Sequence, residues 1–96
     1  RRVVNIQTYL KLYAQSLTLD VKPYDAENLK NWQQGDLVIF DKLPITGLLH
    51  IAIVSDKRDI RGVPYLIDNH GKGVHENNIL LTWPTKIIGH YRFDIN

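Results

Sequence analysis

The sequence contains no cysteine and no methionine. Without thiols these residues hold no disulfide, no thiolate metal site and no cysteine nucleophile of their own. A chain that opens on Arg1 without any Met is expected to lack the start of its translation product, and any leader would lie ahead of Arg1. Long apolar runs are missing too. The longest, Leu48 to Val54, is broken by His50 and falls far short of the ~18 residues that cross a bilayer, so it reads as a buried strand and no membrane span is expected. Concentrated charge is absent: the net charge is +2, and Arg1-Arg2 and Lys57-Arg58 are the sole adjacent basic pairs. With no aromatic residues interleaved along a basic stripe, nucleic acid is not an expected partner.

What remains is an ordinary globular composition, 44% hydrophobic and 23% charged. At 96 residues the chain has room for one domain, taken as 1–96, and one modest core. Val3, Ile6, Leu10, Tyr13 and Leu17 recur at three- and four-residue steps, which predicts an amphipathic helix from Arg2 to about Gln15. An extended connection follows to Pro23 and Tyr24, and Asp25 can cap one short helical turn reaching Asn31. From Trp32 the pattern turns to strands. Asp36 to Asp41 is β-branched and aromatic, Leu49 to Ser55 is apolar on both faces, and Val63 to Asn69 follows a charged hairpin ending at Gly62. The polar loop His70-Gly71-Lys72-Gly73 comes next. Glu76 to Leu81 reads as a short turn of helix or a bulged edge, and Ile87 to Phe93 as a last strand. The expected class is therefore α+β, an N-terminal helix packed on one face of a bent antiparallel sheet of about four strands.

Three features bear on chemistry. In Trp32-Gln33-Gln34-Gly35-Asp36, Gly35 supplies a tight turn and Asp36 ties its amides, a structural role that accounts for every residue. His50 sits early in the otherwise apolar stretch Leu48 to Val54, and a buried imidazole needs partners; position alone favours a structural histidine. The hairpin brings His50 close to Asp68 and Asn69 at the end of the next strand. Strand alternation sends these two to opposite faces, so only one of them can hold the imidazole in a single tautomer, as a general base requires.

The remaining histidines carry less. His70 and His75 are spaced as metal ligands can be, yet no acidic or thiol partner completes a set; a metal-dependent hydrolase on His50, His70 and His75 is the weakest alternative. His90 reads as a strand residue satisfied by its neighbours, and Trp32 and Trp83 as packing. No cofactor is implied.

A Gly-Asp turn entering a strong strand, then a strand bearing His, then one ending in a polar residue resembles the NlpC-like branch of the papain superfamily. The segments Gln34 to Phe40 and His50 to Asp56 carry that likeness. The sequence more closely resembles the bacterial domain-of-unknown-function family DUF 1287 through Arg1 to Gln7, Trp32 to Asp36, His50 to Asp56, Asn69-Gly71-Gly73 and Gly89 to Arg92. The resemblance implies a papain-like, NlpC-type arrangement whose nucleophile helix lies upstream of Arg1. It also implies a periplasmic or secreted cysteine hydrolase or amidase acting on peptidoglycan-type peptide amides. In it, His50 is the base for an upstream Cys, oriented by Asp68 or Asn69; relatives would carry His at Asp68. These residues alone are inactive for lack of Cys. The alternative is a catalytically silent module that binds cell-wall peptide or a protein partner in the same groove. If an upstream helix is missing, one apolar sheet face (that of Val38 and Phe40, or that of Ile51 and Ile53) should stand partly exposed. The rest of the same protein, or a second copy, is the expected cover.

Overall fold

In the computed structural model, which describes residues 3–70 and 73–93, positive φ occurs at Tyr24 and at four glycines, two of them in turns expected from the sequence. Gly35 at φ +93° closes the turn into β2 (Leu37–Phe40), where the Asp36 N–H donates to Gln33 O at 3.1 Å. Gly62 at φ +86° ends the Asp59–Gly62 turn between β3 (His50–Arg58) and β4 (Pro64–His70), its N–H donating to Asp59 O at 3.0 Å. These positive φ values suit glycine because no Cβ meets the backbone there.

The chain begins with α1 (Val3–Tyr13) and the two-residue β1 (Gln15–Ser16), then α2 (Ala26–Leu29). Asp25 is the N-cap of α2, in extended conformation with its carboxylate accepting from the Asn28 N–H. After β2, β3 and β4 come β5 (Gly73–Asn77) and β6 (Ile87–Arg92). All pairings are antiparallel in one sheet of order β1-β6-β2-β3-β4-β5.

This overturns the expected α+β layout. Among the described residues there are six strands rather than about four, and just two short helices, of 11 and 4 residues. The helix meets the sheet over a small area: in its described part it touches the strands through one buried residue, Leu10, against Ile39 and Tyr91. Tyr13, counted with the buried stripe from its spacing, is 66% exposed. The two uncounted strands have separate causes. β1 is too short to show any alternation and exists because Gln15 and Ser16 pair with Arg92 and Tyr91. β5 starts at the last glycine of the expected loop and reaches only the first two residues of the Glu76–Leu81 stretch expected as a short turn of helix or a bulged edge, and its pairing with β4 runs from Leu66–Asn77 to His70–Gly73. The Gly71 and Lys72 part of the expected glycine loop lies outside the described residues.

The main core fills one face of the sheet. Val38 and Phe40 of β2, Ala52 and Val54 of β3 and Leu66 of β4 pack with Leu29, Trp32, Val63 and Leu80. That face is closed by the chain's own residues. Such side chains contribute about 1.5–3 kcal/mol each when fully buried, so this cluster dominates the stability of the fold.

Candidate functional site

β3 and β4 carry the candidate dyad. Ile53 stands opposite Ile67 and Val54 opposite Leu66, while Arg58 stands opposite Pro64, so the register slips between Val54 and Arg58. That bulge slides β4 along β3 until Asp68 lies diagonally across from His50 on the core face. His50 Nε2 and Asp68 Oδ2 are 2.6 Å apart, with the imidazole 13% exposed and the carboxylate fully buried. With the Asp68 carboxylate as acceptor, Nε2 is the donor of this bond. Trp83 stacks on the imidazole at 4.1 Å and 13°, and Phe40, the cross-strand partner of His50, lies 6.0 Å from it. The ring is thus fixed in plane by an indole and in tautomer by a carboxylate.

Of the two residues proposed to orient His50, the structure brings Asp68 to it and sends Asn69 away. Asn69 is exposed on the opposite face, paired with Val74. His75 is on β5 opposite Asp68, and no group of three or more His, Asp or Glu able to hold a metal occurs among the described residues.

A second imidazole–carboxylate pair was not foreseen. Asp36 ties its turn, accepting from the Gln33 N–H at 3.0 Å, but its carboxylate also meets His90 Nε2 at 2.7 Å and Arg92 Nε and Nη2, both at 2.8 Å. Trp32 stacks on His90 at 3.7 Å and 6°, and His90 Nδ1 lies 2.8 Å from Thr18 O. Burial alone would raise the Asp36 carboxyl, but the bonds from Arg92, Gln33 and His90 and the Arg92 charge outweigh it and hold it below its ordinary value. The same bond raises Arg92. The signal available in the sequence was the alternation His90–Arg92, two polar residues on one face of an otherwise apolar strand. Since Val38 stands opposite His90, the residue two before Val38 meets Arg92. Both His90 and Asp36 side chains are 1% exposed or less, so this pair is closed to solvent, and with Arg92 it fastens β6 to the turn before β2. His50, by contrast, keeps an opening to solvent, its side chain 13% exposed.

The family described as "Domain of unknown function (DUF1287)" matches residues 1–93, and the chain belongs to that family. It is similar to a protein of Escherichia coli (strain K12) described as "Uncharacterized protein YijF", 34% identical over 93 residues. The match covers 97% of this chain but 40% of the relative, so the chain spans about two fifths of that protein's length. No solved structure matches the chain.

Proposed function

We propose that this chain supplies the base and its orienting carboxylate to a cysteine hydrolase or amidase of the bacterial envelope, related to the NlpC-like peptidases and acting on peptidoglycan-type peptide amides. The observation that carries the reading is the His50–Asp68 pair at 2.6 Å, with a buried carboxylate behind a partly exposed imidazole. The reaction needs a thiolate from outside these residues. Nδ1 of His50 takes the thiol proton, the thiolate adds to the amide carbonyl, and collapse expels the amine with that proton to leave an acyl-enzyme. Water, deprotonated by the same nitrogen, then hydrolyses it. Asp68 keeps Nε2 protonated throughout, so that Nδ1 serves as the base. The protein would work in the periplasm or after secretion.

The test uses the protein at the full length of its gene, with peptidoglycan-derived peptides as substrate. Cleavage is expected. His50→Ala should lower kcat by about 10²–10⁴, and Asp68→Asn should lower it with the thermal midpoint little changed. Asn69→Ala should leave kcat unaltered. A gene encoding Ser, Ala or Gly at the nucleophile position, with peptide binding intact, would favour the silent binding module instead. A Cys in place with no cleavage of any cell-wall peptide would sink the hydrolase reading.

A further inference from the structure

α1 covers only part of the sheet face it touches. There Leu10 packs on Ile39 of β2 and Tyr91 of β6, with Leu37, Leu49, Ile51 and Ile88 around them. β3 and β4 continue the same face through Ile53 and Ile67, which stand opposite each other, and β5 adds Val74. This half is partly bare: Ile53 is 44% exposed and Val74 69%, while Ile67 is half-buried. Leu37, Ile51, Ile53, Ile67, Asn69 and Val74 line a trough of about 240 Å³ there. The opposite face, by contrast, is closed by its own residues.

Spacing says what fits. α1 sits over the β6–β2 seam, and the bare strip is centred on the β3–β4 seam, two strands further along. Two strand spacings are about 9–10 Å. Helices packed side by side hold their axes 8–10 Å apart. The strip is therefore one helix away from α1 in the same layer. Its polar margin is Asn69 and Glu76, whose carboxylate accepts from the Ser55 hydroxyl, so a suitable helix presents an apolar stripe edged by Lys or Arg.

We infer that this half-bare face seats a second amphipathic helix, drawn from the part of the family-length chain beyond these residues and packed alongside α1. The relative similar to this chain has some three fifths of its length outside the matched segment, which is ample source for such a helix. The inference is independent of any hydrolytic activity.

Thiol labelling of the protein at the full length of its gene tests it without an activity readout. Val74→Cys places a thiol on the rim of the trough, and Ile45→Cys places one on the β2–β3 connection, where Ile45 is 98% exposed. Peptide mapping separates them from any native thiol. Val74→Cys should react at least about tenfold more slowly than Ile45→Cys, as a covered site opens only transiently. Adding Ile53→Lys should bring the Val74→Cys rate back toward that of Ile45→Cys while leaving the latter unchanged. Equal rates in the parent protein would overturn the inference. So would a slow Val74→Cys rate that recovers on dilution in step with a dissociating dimer, since the cover would then be a second copy.

Discussion

Replacing Asp36 by Ala should cost far more than the loss of a turn. Its carboxylate accepts one backbone N–H, one imidazole N–H and two guanidinium N–H groups, and its side chain is 1% exposed. The alanine would leave His90 buried with its Nε2 unpaired and Arg92, 28% exposed, without its counter-charge. Removing one partner of such a buried pair typically costs about 3–5 kcal/mol, because the remaining group stays desolvated. The turn bond alone would account for about 1 kcal/mol. Against a total stability of roughly 5–15 kcal/mol for a domain of this size, the larger figure is a substantial share. In urea unfolding at an m near 1.5 kcal/mol/M, the midpoint should fall by about 2–3 M with m unchanged. Asp36→Asn should fare little better, since an amide NH₂ would face donors. The effect has a definite pH sign: the folded-state pKa lies below 3.8, so the contribution is present above the ordinary carboxylate range and fades as pH falls through the folded value. The penalty of the alanine should therefore shrink in acid. A loss of only about 1 kcal/mol near neutral pH would show that the His90 and Arg92 contacts add nothing and refute the argument.

Three further outcomes follow from other parts of the structure. Burial pushes the Asp59 carboxyl up, but the bonds from Arg61, Asn78 and the Arg61 and Val63 amides pull harder and set it at about 2. Its stabilising effect should persist above the ordinary carboxylate range and disappear as pH falls toward that value, and a carboxyl resonance titrating near 3.8 would refute this. Leu10→Ala, at a side chain 1% exposed, should cost about 2–5 kcal/mol and reduce the helical circular dichroism, whereas an unchanged spectrum and midpoint would mean that α1 is held by other contacts. Gly62→Ala should destabilise by about 1–2 kcal/mol, more than Gly47→Ala. Both have positive φ, but only at Gly62 would a Cβ meet a neighbour, Leu29 Cδ1 at 2.9 Å; equal midpoints for the two variants would count against that contact.

Local chemistry in the sequence determined the capped turn at Asp25, the Gly35 and Gly62 turns, the apolar strands and the placing of His50 among them. Each rests on a few adjacent residues: a carboxylate near orphan N–H groups, a glycine where φ is positive, β-branched residues in a run. The pairing of His50 with one of two neighbouring residues was legible to the same extent. Which of the two it is depended on register. Ile53 stands opposite Ile67 and Val54 opposite Leu66, a register that puts Asp68 on the face of His50 and Asn69 on the other, and the two-residue slip between Val54 and Arg58 slides Asp68 along that face into reach. Long-range pairing also decided the strand number, because β1 is strand only by virtue of β6, which lies more than seventy residues on. The buried Asp36–His90–Arg92 cluster joins groups 54 and 56 residues apart, and no spacing along the chain encodes that closeness. Short-range preferences act through neighbouring residues, while these contacts exist only once the sheet has assembled and brought distant polar groups into a space that water has left.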